Sequence, residues 1–247
     1  MLKYLNLFFL ILTMNFSSFS TFAETPKVVY RSVLESPDMI RRTGGFLPRG
    51  ADGTRPFQPP PNISLFNHTN GSQTGLARFD SGYVSTTTSL NLAHLWVNQN
   101  LGGIGYIYHI HPTGNFIDVN ATLREFSPHR GELEYASLGI IRWNQIIGWQ
   151  RVHYGVIENF VRNRDYNENL YLHAHAGEEQ PQLAGFPYGH VAWTLEPWRN
   201  FAHCSNTLFN STEQCKPVES SEILGAVYFI KTQAKELALF FSEVYQF

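Results

Sequence analysis

The stretch Ser127–Gly139, SPHRGELEYASLG, contains two acidic residues, Glu132 and Glu134, separated by a single leucine. Successive side chains of a β-strand point to opposite faces, so this spacing predicts that both carboxylates lie on one face of a strand. Two like charges on the same face repel each other and destabilise a sheet. The pair is therefore either part of a solvated strand edge or part of a site where two carboxylates have a chemical use.

The first 23 residues have the features of a secretory signal peptide. An early lysine, Lys3, precedes the apolar run LNLFFLIL, and small residues follow up to Ala23. The apolar run is too short for a membrane span, which needs about 20 apolar residues. We therefore expect residues 1–23 to be removed and the mature protein to be soluble and secreted, with a periplasmic stage before assembly and export.

The composition favours a folded, loop-rich protein. The chain has 247 residues, a formal net charge of −2, and 15% each of aromatic and charged residues. The sequence contains no basic cluster or stripe, so we expect no nucleic-acid partner. This share of aromatic side chains is enough to build a core, which excludes a disordered protein.

Short apolar and β-branched segments alternate with turns along most of the chain. VVYRS (28–32) and GYVSTTTS (82–89) are typical of strands, and LNLAHLWVNQNL (90–101) is typical of a helix. The segment Leu47–Pro61 consists of turn-forming residues and predicts a long ordered loop, a kind of loop that is often functional. Together these patterns predict an α+β fold with many short strands.

The two cysteines, Cys204 and Cys215, predict one disulfide, because the export signal implies an oxidising compartment. The bond would close a loop of about 12 residues and stabilise the fold by about 3 kcal/mol in the chain-entropy model. Such a small loop would act as a local clasp between the segments on its two sides.

Beyond Cys215 the sequence changes to a helical pattern. Apolar residues recur at alternating spacings of four and three, which predicts one apolar face on a helix of about 24 residues that begins near Ser220 or Ser221. These residues are Ile223, Val227, Ile230, Ala234, Leu237, Phe241 and Val244. The apolar face packs either on the protein's own domain or, after a hinge at the disulfide, on another subunit.

Two histidine pairs are a weak signal for a metal site. His109 and His111 alternate on a predicted strand and would face the same side, and His173 and His175 repeat this spacing. The sequence offers no third ligand at a suitable spacing, and both cysteines are expected in the disulfide. We therefore expect no metal.

Three elements form a pattern when they are taken in chain order: Arg31 on the first strand, Ser85-Thr86-Thr87 on a later strand, and the pair of glutamates. This order resembles the Arg, Ser-Thr-Ser and Glu-x-Glu pattern of secreted ADP-ribosyltransferase toxins. Longer stretches resemble the enzymatic A subunit of the cholera toxin and heat-labile enterotoxin family, among them VYRSVLESPDMIRRTGGFLPRG, GYVSTTTSLNLAHL and SPHRGELEYASLGIIRWNQIIGWQRVHYGV. The likeness extends from Val28 to the cysteines, and a weaker one links the chain to the enzymatic subunit of pertussis toxin.

The resemblance implies a domain organisation, an activity and partners. An ADP-ribosyltransferase domain of short mixed strands around an NAD cleft (24–203) would be followed by the disulfide-closed loop (204–215) and a helix that docks to a pentameric B subunit (216–247). The implied activity is transfer of ADP-ribose from NAD to an arginine of a host protein, expected to be a G-protein α subunit, with a small host GTPase as activator. An NAD glycohydrolase and a catalytically silent binding relative are the alternatives.

The resemblance also implies the catalytic residues. Glu134 would stabilise the positive charge that develops on the ribose, as an oxocarbenium ion, when nicotinamide leaves. Glu132 would receive the arginine acceptor and take a proton from it. Ser85 would hold Glu134 in position by a hydrogen bond.

The implied NAD-binding residues overlap with the catalytic ones. Arg31 would hold a phosphate of NAD through charge-assisted hydrogen bonds. His68 and Thr86 would lie beside the NAD cleft, together with Ser85 and Glu134.

The chain departs from the family pattern at several points. Val33 and Glu35 stand where the relatives carry an aspartate and an arginine, respectively. The change at Val33 concerns NAD affinity, and the change at Glu35 concerns the bracing of the cleft loop. The segment between the cysteines, SNTLFNSTEQ, contains neither lysine nor arginine, so activation by a trypsin-like protease is not expected. The sequence ends in SEVYQF where close relatives carry a KDEL-like signal.

Overall fold

The structure is a computed structural model and describes residues 25–54, 61–71, 79–206 and 213–218. The predicted signal peptide, the whole of the helix predicted from Ser220 or Ser221 onward and the middle of the loop between the cysteines lie outside these residues. Within the described part, no helix is long and apolar enough to cross a bilayer.

The described chain folds into strands and short helices joined by turns. The strands are β1 (Val29–Val33), β2 (Gly45–Phe46), β3 (Tyr83–Thr87), β4 (Ile104–Ile110), β5 (Phe116–Asp118), β6 (Glu134–Leu138), β7 (Ile141–Arg142), β8 (Ile146–His153), β9 (Val156–Ile157), β10 (Val161–Arg162), β11 (Ala202–Asn206) and β12 (Glu213–Pro217). The α-helices are α1 (Pro37–Arg42), α2 (Leu65–Asn70), α3 (Leu90–Asn100), α4 (Val119–Leu123) and α5 (Glu168–Tyr171).

The main sheet places the first strand of the chain at its centre. Its strand order is β10–β8–β4–β1–β3–β6–β5, β9 pairs with β8, and all neighbouring strands are antiparallel. Helix α3 is tied to β1, because the Ser32 hydroxyl donates a hydrogen bond of 2.7 Å to the carbonyl of Ala93. The pairing of β3 with β6 sets Thr87 opposite Glu134 and therefore brings the serine-threonine motif next to the second glutamate.

The elements with the strongest sequence patterns are confirmed. The strands predicted at 28–32 and 82–89 are β1 and β3, and the helix predicted at 90–101 is α3. Ser89 begins α3 as its N-cap, with its hydroxyl accepting the N–H of Leu92. Of the predicted loop Leu47–Pro61, the structure describes the start, which contains a 3₁₀ turn, and Pro61 at the end.

The prediction that both glutamates share one face of a strand is wrong. Glu134 begins β6, whereas Glu132 ends a 3₁₀ turn that covers Arg130–Glu132. Leu133 between them adopts a left-handed backbone with a φ of 49°. The two-residue alternation of side chains holds only for extended backbone, so it does not apply across this turn.

Apolar clusters pack on both faces of the sheet at β3. One contains Tyr83, Trp193 and Trp198, and the other contains Val84 and Tyr108; all five side chains are at most 2% exposed. Tyr83 and Val84 are neighbours in β3, and neighbouring strand residues point to opposite faces. The sheet is therefore packed on both sides at the point where β3 crosses it.

The predicted disulfide between Cys204 and Cys215 is confirmed. The two cysteines lie directly opposite each other in the β11–β12 hairpin. Cys215 is 2% exposed and belongs to the cluster of Trp193 and Trp198, so the bond is anchored in the core as well as closing a surface loop. Lys216 and Pro217, which open the expected C-terminal segment 216–247, belong to β12.

Helix α2 is fixed by a close contact with Gly185. Ser64 is the N-cap of the helix, accepts the N–H of Asn67, and donates its hydroxyl to the carbonyl of Gly185 over 2.6 Å. Gly185 has a φ of 61°, and a Cβ at this position would lie 2.5 Å from the Cβ of Ser64. Both the backbone conformation and the close approach therefore require glycine here.

Replacing Gly185 by alanine should lower the free energy of unfolding more than the same change at Gly189. Gly189 also has a positive φ, 74°, but a Cβ there would meet no atom within 4 Å. We expect Gly189→Ala to cost about 1–2 kcal/mol through backbone strain alone. Gly185→Ala should cost about 1–3 kcal/mol more through overpacking against Ser64. Urea denaturation of both variants measures the difference, and equal losses would contradict the close contact.

Candidate active site

Four residues that the sequence assigns to the site come from separate parts of the chain. Arg31 lies on β1, His68 on α2, Ser85 on β3 and Glu134 on β6. Direct hydrogen bonds connect all four. The sheet pairing and the anchored helix α2 thus assemble one cluster from residues that are far apart in sequence.

His68 is the centre of this cluster and is 4% exposed. Its Nε2 lies 3.0 Å from Oε1 of Glu134 and 3.1 Å from Oγ of Ser85. Its Nδ1 lies 2.7 Å from Oγ of Ser81. The ring also packs against Tyr83, with the two ring centroids 5.2 Å apart. His68 therefore contacts the carboxylate directly.

Glu134 is buried and carries a negative charge that its neighbours stabilise. Burial opposes ionisation, but the electrostatic interaction with His68, hydrogen bonds from His68 and Ser85, and the electrostatic interaction with His129 together outweigh it. The pKa of Glu134 consequently lies below its ordinary value. A fixed anion in a site of low dielectric constant is suited to stabilise a cation that forms beside it.

Glu132 lies on the exposed turn before β6, and the backbone of this turn is held by β3. The Thr87 hydroxyl donates to the carbonyl of Glu132 over 2.7 Å, and the N–H of Thr88 donates to the carbonyl of Leu133 over 3.2 Å. Partial burial of its carboxyl group and the nearby charge of Glu134 raise the pKa of Glu132. The two carboxyl groups therefore interact, and their pKa values are shifted in opposite directions.

Arg31 is a partly buried cation whose guanidinium has few partners among the described residues. Its Nη1 donates to the carbonyl of Ser85 over 2.7 Å, and its Cζ lies 5.3 Å from the centroid of the Phe46 ring. Burial lowers the pKa of Arg31 to about 10, although Glu35 and Glu134 oppose this shift. Among the described residues, its Nε is the buried side-chain nitrogen that lacks a hydrogen-bond partner. A partly buried cation with an unused, buried N–H donor suits an anionic ligand such as a phosphate group.

The two departures from the family pattern near Arg31 have different surroundings. Val33 pairs with Tyr106 at the end of β1 and packs against the apolar cluster, so its side chain offers no polar contact. Glu35 carries the negative charge that acts most strongly on Arg31. The acidic group beside the arginine thus comes from a position two residues further along the chain.

Thr86 is oriented differently from Ser85. Its side chain is 5% exposed, and its hydroxyl donates to the carbonyl of Tyr135 over 2.5 Å. Neighbouring residues of a strand point to opposite faces, so Thr86 points away from the face of Ser85. This placement does not favour contact between Thr86 and NAD, and that assignment stays a prediction.

The histidines of the YHIHP segment have separate partners. Nε2 of His109 lies 2.9 Å from the side-chain oxygen of Gln150, and Nδ1 of His111 lies 2.8 Å from the hydroxyl of Tyr166. Over the ranges that the structure describes, no group of three or more His, Cys, Asp or Glu residues could hold a metal ion.

Three residues of the site are not identified from the sequence. Ser81 contacts Nδ1 of His68, Phe46 covers Arg31, and the charge of His129 acts on both glutamates. The sequence could have indicated His129, because this residue lies within the same short stretch as the glutamates. Ser81 and Phe46 have none, because their contacts arise only from the packing of distant segments.

Acid should weaken the fold in part through Glu134. Its pKa is lower in the folded protein than in the unfolded chain, so its ionisation stabilises the fold above the unfolded-state pKa. This contribution is lost as the pH falls through the folded-state pKa. Glu134→Gln lacks it, so the difference in unfolding free energy between wild type and variant should shrink as the medium is acidified.

Urea denaturation over a series of pH values tests this dependence. Glu179→Gln is the matched control, because Glu179 is 45% exposed and forms a surface ion pair with Arg124 at 3.4 Å. A difference between wild type and Glu134→Gln that stays constant with pH would contradict the lowered pKa.

Comparisons with known proteins find related bacterial toxin chains. The family model of the heat-labile enterotoxin alpha chain matches residues 4–245. The A chain of heat-labile enterotoxin IIA from Escherichia coli is 42% identical over 232 residues, which cover 92% of this chain and 83% of that one. The NAD(+)–arginine ADP-ribosyltransferase Chelt from Vibrio cholerae is 43% identical over 178 residues, which cover 70% of this chain and 30% of that one.

A solved structure shares the fold. A double mutant of heat-labile enterotoxin superimposes with a TM-score of 0.69 at 36% identity, over 89% of this chain and 96% of that one. The predicted fold class is thereby confirmed. With a family model that matches nearly its whole length and relatives above 40% identity, the chain belongs to the heat-labile enterotoxin alpha-chain family.

Proposed function

We propose that this chain is the enzymatic subunit of a secreted toxin and transfers ADP-ribose from NAD to an arginine of a host protein. The observation that carries this proposal is the buried, ionised Glu134, held by His68 and Ser85 beside a second carboxylate. Membership of the enterotoxin family, together with the likeness to an arginine ADP-ribosyltransferase, confirms the predicted class of enzyme.

Arg31 is the residue best suited to hold NAD, which is the substrate that donates ADP-ribose. NAD carries two negatively charged phosphate groups, and Arg31 offers a partly buried positive charge whose Nε has no hydrogen-bond partner among the described residues. The carbonyl of Ser85 and the ring of Phe46 fix the orientation of the guanidinium before NAD binds. A preorganised cation of this kind loses little side-chain entropy on binding a phosphate.

Glu134 acts on the bond between nicotinamide and C1′ of the ribose. When this bond breaks, its electron pair leaves with nicotinamide, and positive charge develops on the ribose. The Glu134 carboxylate is already ionised and held by two hydrogen-bonding neighbours, so it stabilises this charge without rearrangement. Ser85 and His68 act through Glu134, because both contact its carboxylate.

Glu132 is placed to serve the acceptor. An arginine guanidinium is protonated in ordinary conditions and becomes a nucleophile only when a base takes one of its protons. The raised pKa of Glu132 makes its carboxylate a better base than an ordinary glutamate, and the exposed turn leaves it open to a protein acceptor. The acceptor nitrogen then forms a bond with C1′ of the ribose, and its proton is taken by Glu132.

Family membership and the resemblance of the sequence support the partners that we propose. A-chain membership supports assembly with a B-subunit pentamer, with segment 216–247 as the docking element. The host substrate is a G-protein α subunit, and a small host GTPase is the activator. The protein is secreted after a periplasmic stage.

Substitution of the two glutamates should separate two partial reactions. Glu134→Gln should lower both NAD hydrolysis and transfer to agmatine, a small arginine analogue, by about 10²–10³-fold, because both need the same charge stabilisation. Glu132→Gln should abolish transfer to agmatine but retain part of the hydrolysis, because water needs less help to lose a proton than guanidinium does. Labelled NAD with agmatine, and with host-cell lysate, measures both reactions.

Each outcome of this experiment has a clear meaning. Glu179→Gln should behave as wild type, because its exposed ion pair is formed outside the cluster of His68 and Glu134. Equal loss of hydrolysis and transfer in Glu132→Gln would contradict the division of roles. Release of free ADP-ribose without transfer by the wild-type protein would identify an NAD glycohydrolase instead.

Phe46 should contribute to NAD binding through Arg31. Phe46→Leu removes the aromatic face below the guanidinium, so the KM for NAD should rise by about 3- to 30-fold with little change in kcat. Phe46→Tyr keeps the ring and is the control. An unchanged KM in the leucine variant would show that packing alone holds Arg31.

A further inference from the structure

Ser81 occupies a fixed position behind the active-site histidine. The residue is 2% exposed, and its Oγ lies 2.7 Å from Nδ1 of His68. Its backbone carbonyl accepts the N–H of Gly50 over 2.7 Å, and its backbone forms a bridge to Asn62. The hydroxyl is therefore presented to the ring by a backbone that is held from two sides.

The hydrogen-bond pattern of Ser81 leaves its own O–H group available as a donor. The Oγ accepts the backbone N–H of Tyr83 over 3.2 Å. This bond uses a lone pair of the oxygen and leaves the hydroxyl hydrogen free to be donated. Nδ1 of His68 lies 2.7 Å away and can accept this hydrogen when it carries none of its own.

In the neutral His68 ring, the protonation of Nδ1 determines the protonation of Nε2. In a neutral imidazole one nitrogen carries the hydrogen and the other accepts. If Nδ1 accepts from Ser81, then Nε2 carries the hydrogen and donates it to Glu134 over 3.0 Å. In the opposite tautomer, a lone pair of Nε2 would face the carboxylate and repel it.

We infer that Ser81 is a positioning residue, whose hydroxyl selects the Nε2–H tautomer of His68 and thereby keeps a hydrogen-bond donor directed at Glu134. The inference deepens the proposed function and rests on it for its kinetic consequences, because it concerns how the same carboxylate is held. Ser81 has no direct contact with Glu134 among the described hydrogen bonds and acts only through the ring.

Other charged groups also face the carboxylate, and they set the background for any pH effect. The charge of His129 lowers the pKa of Glu134, Glu132 interacts with it as a like charge, and Arg31 interacts with it as an opposite charge. None of these three contacts Ser81 in the described structure. A change at Ser81 should therefore alter only the part of the stabilisation of ionised Glu134 that His68 supplies.

The tautomer can be observed directly by NMR on the full chain with ¹⁵N-labelled histidine. The chain has 10 histidines, and His68→Asn identifies the signals of His68 by their loss. At a pH where the ring is neutral, wild type should show the Nε2–H pattern. Ser81→Ala should lose that pattern or mix it with the Nδ1–H form, whereas Ser81→Thr, which keeps a hydroxyl, should retain it.

Kinetics provide the second readout. Ser81→Ala should lower kcat by about ten- to a hundredfold, by analogy with the loss of hydrogen-bond partners that orient metal-ligating histidines. The KM for NAD should change little, because Arg31 is not affected. The acid limb of kcat/KM should move to higher pH, because Glu134 loses the donor that favours its ionised form. Ser81→Thr should restore kcat and return the acid limb of kcat/KM to its wild-type pH.

Ser137→Ala is the matched control for a buried serine. Ser137 is fully buried, and its Oγ accepts a hydrogen bond of 2.9 Å from Asn115, without contact to His68. This variant should lose some stability but keep the tautomer and the acid limb of the wild type. If Ser81→Ala does not fold, Ser81→Cys, which has nearly the same volume and a weaker donor, takes its place.

Two results would overturn the inference: an Nδ1–H tautomer in the wild-type protein, or a Ser81→Ala variant with an unchanged tautomer and acid limb. Neither result depends on whether the acceptor of ADP-ribose is arginine or water. If wild type hydrolyses NAD but does not modify arginine, the proposed function fails while NMR still decides on Ser81. If arginine transfer is observed but the tautomer does not depend on Ser81, only the inference fails.

Discussion

A buried carboxylate must find charges and hydrogen-bond donors within the protein, and this requirement at Glu134 explains much of the architecture. Its partners come from α2 and β3, while Glu134 itself begins β6. The pairing of β3 with β6 brings Ser85 within reach, and the close contact of Gly185 with the start of α2 fixes the helix that carries His68. Contacts far from the chemistry therefore hold the donors in place. Without them the same carboxylate would be an uncompensated charge in an apolar surrounding, which is far more costly than a surface acid.

The two glutamates are chemically alike but differ in their surroundings. Glu134 is buried among donors, and its pKa is lowered, whereas Glu132 lies on a turn beside a like charge, and its pKa is raised. The left-handed residue between them, Leu133, produces this difference because it ends the turn and lets the chain enter the strand. Environments that shift the pKa values of two carboxyl groups in opposite directions are a recurring way to assign one group to charge stabilisation and the other to proton transfer. Here one residue of unusual backbone conformation separates the two environments.

Much of this site could be predicted from local patterns, and the remainder depends on packing. The strands β1 and β3 and the helix α3 follow from periodicity and capping, and the family resemblance points to Arg31, Ser85 and Glu134. The geometry of Glu132 could not be predicted in the same way, because an E-x-E spacing suggests a strand unless the left-handed turn is known. Ser81 and Phe46 are absent from any local pattern, since each contacts a residue on another element of the fold. The orientation of Thr86, whose hydroxyl bonds Tyr135, likewise becomes visible only when β6 lies beside β3.

The disulfide and the active site are connected through one apolar cluster. Cys215 packs in the cluster that also contains Tyr83, and the ring of Tyr83 lies against His68. The backbone N–H of Tyr83 in turn donates to Ser81, which contacts the other side of the same histidine. The bond between the cysteines therefore stabilises more than a loop, because Cys215 packs in the same apolar cluster as Tyr83, which lies behind the catalytic carboxylate. Since well-packed interiors transmit displacement from one side chain to the next, the hairpin that carries the disulfide and the ring that orients Glu134 belong to one structural unit.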